Sequence, residues 1–174
     1  ANSIYKKAYG LDVEFKLIDD PAAKFAAFQA GQIDIMWDTV DSWAREGSVL
    51  AEGTVRGKAI IMEDWSRGGD GIASVSSIKS IEQLAGKKIA TTEFTPSHWF
   101  LLYMLNQSGL TPAQKLAIEK SLIITQDAPA AAAMFKAGKV DAAVTWEPDL
   151  SGAVLARGDE AHVLISTTAA THVI

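Results

Sequence analysis

Short apolar segments alternate with helical segments along the whole chain. Strands are predicted at residues 13–17, 33–37, 58–62, 72–75, 88–92, 121–125, 140–145 and 162–166. Helices are predicted at residues 20–30, 42–46, 80–84, 96–108, 128–137 and 147–156. Strands that alternate with helices are typical of a mostly parallel sheet that helices cover on both faces. The pattern therefore predicts an α/β fold.

Capping residues mark the ends of two predicted helices. Asp20-Pro21 and Thr95-Pro96 each place an N-cap residue before a proline, which suits the first helical position. Gly109 is expected to close the helix that begins at Pro96. In sheets of this kind ligands bind at the carboxyl ends of the strands, where loops and helix starts converge. The residues that directly follow a strand are therefore the candidates for function.

A fifteen-residue pattern occurs twice in the chain, at an offset of 107 residues. Residues 20–34 have the sequence DPAAKFAAFQAGQID, and residues 127–141 have the sequence DAPAAAAMFKAGKVD. Seven of the fifteen positions are identical, and each copy predicts a capped helix, a tight glycine turn and a strand. The similarity has two interpretations, because Ala-rich helices also match one another by chance. It reflects either a common type of connection or two lobes of related architecture.

Composition excludes several classes of protein. The chain has 174 residues, is 48% hydrophobic and 21% charged, and carries a formal net charge of −5. These values are typical of a globular protein, and an acidic chain with scattered basic residues is not expected to bind nucleic acid. No stretch approaches the roughly 18–20 apolar residues of a membrane-spanning helix, so no membrane insertion is expected. Cysteine is absent, which excludes disulfides and thiolate metal sites.

Three segments carry motifs that occur in this order in one protein family. Residues 79–110 combine a Leu-Ala-Gly-Lys-Lys strand, a Ser/Thr turn and a helix that ends in Gly-Leu. Residues 135–150 contain Gly-Lys-Val-Asp-Ala followed by Trp-Glu-Pro, and residues 28–43 look like their first-lobe counterpart. In these features the chain resembles the aliphatic-sulfonate-, taurine- and nitrate-binding proteins of ABC importers. These form a group of type II periplasmic binding proteins.

The resemblance implies a two-lobed type II periplasmic-binding-protein fold of mostly parallel sheets, truncated at both ends. Residues 1–71 would form part of lobe 1, residues 72–165 lobe 2, and residues 166–174 the start of a second crossover. The loop at residues 65–71 would be the first crossover. No signal peptide is expected in this chain, since Ala1-Asn2-Ser3 lacks a basic region followed by an apolar one.

The function that the resemblance implies is the capture of a small polar or anionic organic molecule, sulfonate-, phosphonate- or nitrate-like. The molecule would be held between the lobes and passed to the permease of an ABC importer. The protein would act in the periplasm as a monomer and would need no cofactor.

The turn after the strand at 88–92 is the strongest candidate ligand site. The free N–H groups and the positive dipole end of the helix that starts at Thr95-Pro96 suit an anion or a polar oxygen. The hydroxyls of Thr95 and Ser97 can add hydrogen bonds, and His98 follows them. A well-capped helix without a ligand explains the same residues. The family has Gly-Ser/Thr-Ser in this turn, and Phe94 departs from that pattern.

Further candidate ligand-binding residues follow the strands at 33–37 and 140–145. In each place a tryptophan lies beside a carboxylate, a combination that suits a flat or cationic group. These candidates are Trp37, Asp38, Thr39, Trp146 and Glu147. Packing of the tryptophans between layers of the fold is the alternative explanation. Trp65 and Asp70, in and around the first crossover, are additional candidates.

Two other functions fit the same fold. Enzymes with this fold that make the thiamine pyrimidine carry a cysteine-rich motif, which this chain lacks. No Ser–His–Asp motif or Gly-rich phosphate loop is present, so no catalytic residue is predicted. His98, His162 and His172 are not at the spacing of metal ligands, so no metal site is predicted. A ligand-sensing domain of a regulator or sensor protein is the alternative function.

Overall fold

The computed structural model describes residues 2–18, 20–52 and 56–170 of the chain. These residues group into two units. The first unit comprises the described residues of Ala1–Trp37 and Val49–Gly57, and the second those of Asp38–Ser48 and Lys58–Ile174. Within the described ranges, no helix has both the length and the apolar character needed to cross a membrane.

The first unit contains two complete helices, α1 (Asn2–Tyr9) and α2 (Pro21–Gln29). Asp20 is the N-cap of α2, as predicted. Its carboxylate accepts a hydrogen bond from the backbone N–H of Ala23 at 2.6 Å. This bond satisfies one of the N–H groups that have no partner inside the first turn of a helix.

The strands predicted at 13–17, 33–37 and 58–62 are wrong, since these residues have no regular secondary structure. Most of their apolar side chains are exposed, including Leu17 at 89% and Ile35 at 75%. A strand is stable only when neighbouring strands satisfy its N–H and C=O groups. The sequence pattern is that of a strand, but no strand of the described sheet pairs with these segments.

The second unit is built on one sheet. Its strands are β1 (Asp70–Val75), β2 (Ile89–Thr91), β3 (Ile123–Ile124), β4 (Ala142–Trp146) and β5 (Ala161–Ser166). The five strands are ordered β3-β2-β4-β1-β5. β2 is parallel to both of its neighbours, whereas β1 is antiparallel to both β4 and β5. Four strands therefore point in one direction, which confirms the mostly parallel α/β sheet, and β1 runs against them.

Among the described residues, one of five further helices precedes these strands, and the other four lie between them together with a short 3-10 turn. The helices are α3 (Val40–Glu52), α4 (Pro96–Gln107), α5 (Pro112–Lys120), α6 (Ala128–Lys136) and α7 (Asp149–Arg157). The turn predicted at 80–84 is a 3-10 helix at Ile81–Leu84. α3 is longer than the helix predicted at 42–46. Gly109 does not close α4, because the helix ends at Ser108 in an extended conformation.

Helix α5 was not predicted, although its first residues carry a clear signal. Thr111 is the N-cap and Pro112 the first helical residue. The hydroxyl of Thr111 accepts a hydrogen bond from the N–H of Gln114, and the Gln114 side chain accepts one from the N–H of Thr111 at 2.9 Å. This reciprocal pair is a capping box, and a Thr-Pro-x-Gln pattern is enough to predict it.

Alternate residues of each strand pack on opposite faces of the sheet. On one face Ile72 of β1 and Ile89 of β2 pack with Phe100 of α4. On the other face Ala73 and Ala90, the next residue of each strand, pack with side chains of α6 and α7, including Ala131, Phe135, Leu150 and Ala153. Both faces are therefore buried, as expected for an α/β sheet.

The two copies of the repeat share their helix and their turn but not their strand. Asp127 caps α6 through the N–H of Ala130 at 2.8 Å, as Asp20 caps α2. Both helices are followed by a glycine with positive φ, +66° at Gly31 and +67° at Gly138. Residues 140–146 then enter the sheet, whereas residues 33–37 do not. The repeat thus extends from the cap to the glycine turn.

Candidate ligand-binding site

The candidate site lies at the edge of the sheet where β2 and β4 end and β1 begins. Asp70, the first residue of β1, is paired with Trp146, the last residue of β4. β2 ends at Thr91 and is followed by a turn at residues 92–95 and then by α4. Because β2 and β4 are parallel, their carboxyl ends share one edge, where ligands of α/β proteins bind.

Thr95 is the N-cap of α4, and Pro96 is its first residue, as predicted. The hydroxyl oxygen of Thr95 accepts a hydrogen bond from the N–H of His98 at 3.4 Å. The same hydroxyl donates to the carbonyl of Thr92 at 2.7 Å. Thr95 therefore both caps the helix and closes the turn that precedes it.

Ser97, the second residue of α4, is fully buried. Its hydroxyl donates to the carboxylate of Asp70 at 2.9 Å, so that hydroxyl is already occupied. Within the part of the chain that the structure describes, its backbone N–H has no hydrogen-bond partner. The N–H groups of His98 and Trp99, by contrast, are bound to Thr95. A buried N–H without a partner costs free energy.

Asp70 is a buried carboxylate that accepts a hydrogen bond at each oxygen. Besides the bond from Ser97, it accepts one from the hydroxyl of Ser66 at 2.8 Å. Burial raises the pKa of Asp70, the two hydroxyl bonds oppose this rise, and the negative charge of Asp41 adds to it. A carboxyl group with a raised pKa at the ligand edge of a sheet is a common feature of functional sites.

Phe94 occupies a backbone conformation that favours glycine. Its φ of 59° makes it the one non-glycine residue with positive φ among the described residues. Its ring is 56% exposed and lies 4.9 Å from the guanidinium carbon of Arg45 on α3. That guanidinium also pairs with Glu46 at 2.7 Å. Phe94 is therefore a strained residue whose ring packs against a cation.

His98 lines a groove next to the turn. Its Nδ1 accepts a hydrogen bond from the N–H of Phe94 at 3.3 Å. Burial lowers the pKa of His98, and the charges of Glu93 and Glu119 act in the opposite direction. The groove has a volume of about 340 Å³ and is lined by Glu93, His98, Leu102, Glu119, Lys120, Leu122 and Ile124. His98 therefore contacts both the Phe94 turn and this groove.

Two curated proteins with similar sequences are both named as binding proteins. Over 87 residues, half of this chain, it is 37% identical to an aliphatic sulfonates-binding protein of Escherichia coli (strain K12), covering 25% of that protein. Over 148 residues, 85% of this chain, it is 24% identical to a taurine-binding periplasmic protein of the same organism, covering 43% of it. The chain thus spans less than half the length of either relative. No protein-family model matches it.

A solved structure shares the fold of almost the whole chain. The crystal structure of the periplasmic aliphatic sulphonate binding protein SsuA from Escherichia coli matches 98% of this chain and 52% of its own, with a TM-score of 0.68 and 23% identity. The chain has the periplasmic-binding-protein fold. The similarity to aliphatic-sulfonate- and taurine-binding proteins that the motifs indicated is confirmed by the two curated relatives.

Within this fold, Trp37 lies in the first unit, and Asp38 and Thr39 lie in the second. Trp37 is 65% exposed, and its carbonyl accepts a hydrogen bond from the Lys24 ammonium at 2.9 Å. Thr39 donates from its hydroxyl to Ser42 at 3.2 Å and so belongs to the start of α3. Ligand contacts of these three predicted residues remain predictions.

The other predicted residues already have partners within the second unit. Trp65 is partly exposed, with the Arg67 guanidinium carbon 5.3 Å from its ring. Glu147 accepts a hydrogen bond from the N–H of Ser151 at 3.0 Å and therefore stabilises the first turn of α7. Trp146 is half-buried beside Asp70 at the sheet edge. Of the residues predicted for the site, the structure brings together Asp70, Thr95, Pro96, Ser97, His98 and Trp146.

The sequence did not identify three residues that contact the candidate site, which are Ser66, Thr167 and Arg45. Ser66 and Thr167 are 101 positions apart in the sequence, yet their hydroxyls lie 2.8 Å apart. No local pattern predicts such a contact. Arg45 was hidden because its packing partner, Phe94, is on another element. Among the described residues, no group of three histidine, cysteine or acidic side chains is arranged to hold a metal ion.

Proposed function

We propose that this chain is part of an extracytoplasmic solute-binding protein that captures a small polar or anionic organic molecule for the permease of an ABC importer. The ligand carries a sulfonate-, phosphonate- or nitrate-like group, which we place at the start of α4. The unpaired N–H of Ser97 at the carboxyl edge of the sheet carries this proposal. The names of the curated relatives support the ligand class, because one names aliphatic sulfonates and the other taurine.

The charges around the turn favour a ligand that also carries an amino group. An anionic oxygen at the start of α4 gains from the positive end of the helix dipole. Arg45, held on the exposed face of Phe94, adds a cation nearby. Asp41 is close enough to Asp70 to interact with it electrostatically, so two carboxyl groups near the turn can attract an amino group. A zwitterion such as an aminoalkyl sulfonate or phosphonate would use both signs.

The organisation of the whole protein is also a proposal. We place residues 1–71 in lobe 1 and residues 72–165 in lobe 2, with residues 166–174 at the start of a second crossover. The matching caps of α2 and α6 support lobes of related architecture. We place the protein in the periplasm as a monomer that needs no cofactor. Binding without turnover is consistent with both curated relatives, which are named as binding proteins.

Two threonine caps provide a matched test of the site. Thr95 and Thr111 are both N-caps before a proline, but only Thr95 lies at the carboxyl edge of the sheet. Thr95→Ala and Thr111→Ala should each lower the free energy of unfolding by about 1 kcal/mol. Only Thr95→Ala should weaken ligand binding, by about fivefold or more, since about 1 kcal/mol of hydrogen bonding holds the turn.

The measurement is isothermal titration calorimetry of the full-length protein with ethanesulfonate, taurine, methylphosphonate and nitrate. Binding of at least one of these, weakened by Thr95→Ala and unchanged by Thr111→Ala, supports the proposal. If none binds to the wild-type protein, the proposed ligand class is wrong. Equal losses of affinity in the two variants would place the ligand away from α4.

A further inference from the structure

The chain enters the sheet through residues 66–70 and leaves it through residues 166–168, and the hydroxyl of Thr167 joins these two segments. It lies 2.8 Å from the hydroxyl of Ser66 and accepts a hydrogen bond from the N–H of Gly68 at 2.8 Å. It also lies 3.4 Å from the N–H of Asp70. Thr167 is fully buried, so water does not replace these contacts. We call residues 66–70 the incoming segment and residues 166–168 the outgoing segment.

The same cluster reaches α4 through Asp70. One carboxylate oxygen of Asp70 accepts the hydroxyl of Ser66, in the incoming segment, and the other accepts the hydroxyl of Ser97, in the first turn of α4. Asp70 is 7% exposed, and Ser97 and Thr167 are fully buried. A single buried carboxylate therefore contacts both the incoming segment and the candidate ligand site.

The number of hydroxyl protons determines which side chain of this cluster donates each hydrogen bond. An ionised carboxylate only accepts hydrogen bonds, so Ser66 and Ser97 each donate their single hydroxyl proton to Asp70. While Asp70 is ionised, Ser66 then has no proton left for Thr167, so Thr167 donates to the oxygen of Ser66 at 2.8 Å, with the carbonyl of Asp70 as a more distant acceptor at 3.4 Å. The chain of donors runs from Thr167 to Ser66 to Asp70, and from Ser97 to Asp70. Hydrogen bonds in such a buried chain strengthen one another, so loss of one changes the others.

We propose that Asp70 is a positioning residue that couples the start of α4 to the incoming and outgoing segments. A ligand that moves the first turn of α4 also moves the Ser97 hydroxyl. This movement changes the hydrogen bonds that Asp70 makes with Ser66 and that Ser66 makes with Thr167. The outgoing segment thereby influences ligand affinity without touching the ligand. This inference rests on the proposed function, since it assigns the ligand to the start of α4.

Thr167 offers a matched pair of variants. Thr167→Val keeps the shape of the side chain and removes the hydroxyl, whereas Thr167→Ser keeps the hydroxyl. In the full-length protein, Thr167→Val should weaken binding of the tightest of the four calorimetry ligands by about fivefold, and Thr167→Ser should restore most of that loss. A role in folding alone would leave the affinity of the folded Thr167→Val protein unchanged, and that result would overturn the coupling.

A double-mutant cycle tests the coupling without ligand. The structure shows no hydrogen bond between Ser97 and Thr167. Ser97 is bound to the Asp70 carboxylate, and Thr167 reaches Asp70 through Ser66 and through the Asp70 backbone. The effects of Ser97→Ala and Thr167→Val on the unfolding equilibrium constant should be non-additive by more than about twofold. Additive effects overturn the coupling even if ligands bind. Non-additive effects in a protein that binds none of the four ligands overturn the proposed function instead and leave Asp70 as a link within the fold.

Discussion

Replacing Phe94 by glycine and by alanine measures the strain in the turn before α4. Phe94 has a φ of 59°, a conformation that costs a non-glycine residue about 1–2 kcal/mol. Alanine retains this cost, whereas glycine removes it. Both substitutions remove the ring that packs on Arg45. The comparison of the two variants therefore isolates the backbone conformation from the side-chain contact.

The expected magnitudes follow from three contributions. Loss of a half-exposed contact between the ring and Arg45 costs about 0.5–1 kcal/mol in both variants. Glycine gains about 1–2 kcal/mol from relief of strain and loses about 0.5–1 kcal/mol through the greater freedom of its unfolded chain. Phe94→Ala should therefore be less stable than the wild-type protein by about 0.5–1 kcal/mol. Phe94→Gly should be more stable than Phe94→Ala by a similar amount and close to wild type.

Urea unfolding monitored by circular dichroism, with linear extrapolation, gives these free energies of unfolding. Arg45→Met in the wild-type and Phe94→Ala backgrounds serves as the control. It should cost less in the Phe94→Ala protein, because the ring contact is already gone. If Phe94→Ala and Phe94→Gly are equally stable, the turn is not strained. If Arg45→Met costs the same in both backgrounds, the ring contact contributes nothing.

Two further substitutions test the packing and the charge of β1. Gly71→Ala should lower the free energy of unfolding by about 1–3 kcal/mol in urea, because an added Cβ would lie 2.9 Å from the carbonyl oxygen of Ile165 and 2.7 Å from Leu150; an unchanged midpoint would refute this. Burial raises the pKa of Asp70 above its usual 3.8, so the folded protein holds this proton more tightly than the unfolded chain does. The carboxyl group therefore favours folding at acidic pH and loses that contribution as pH rises through its raised pKa. The stability of Asp70→Asn relative to wild type should accordingly increase from acidic to neutral pH in urea titrations, and a constant difference would refute it.

The sequence predicted the strands that have partners and also three that do not. Residues 72–75 and 140–145 became parts of β1 and β4, whereas 13–17 and 33–37 remained irregular despite similar patterns. A period-two pattern reports which faces of a segment are apolar, and it carries no information about a neighbouring strand. The same limit explains why the direction of β1 in the sheet was not predicted. Its antiparallel direction depends on pairing with β4, which lies about seventy residues further along the chain.

The candidate site also contains local features that the sequence predicts and tertiary contacts that it does not. The cap at Thr95-Pro96 was predictable because capping is decided by residues three or four positions apart. The contact of Ser66 with Thr167 was not, because it joins residues separated by 101 positions. Ser97 was predicted to bind a ligand through its hydroxyl, but that hydroxyl donates to Asp70 inside the protein, and ligand binding at Ser97 stays a prediction. Local chemistry thus locates the turn, and tertiary contacts decide which of its donors are free.

An acidic residue beside the proposed anion site needs a physical explanation, and the hydrogen bonds of Asp70 provide it. Both carboxylate oxygens are occupied by hydroxyls, from Ser66 and Ser97, so the negative charge is partly offset within the protein. The bond from Ser97 also removes its hydroxyl from the ligand side and leaves its backbone N–H as the donor there. In the proposed site, the first turn of α4 therefore offers the N–H of Ser97 and the positive end of the helix dipole. Asp70 contributes by fixing where that turn lies.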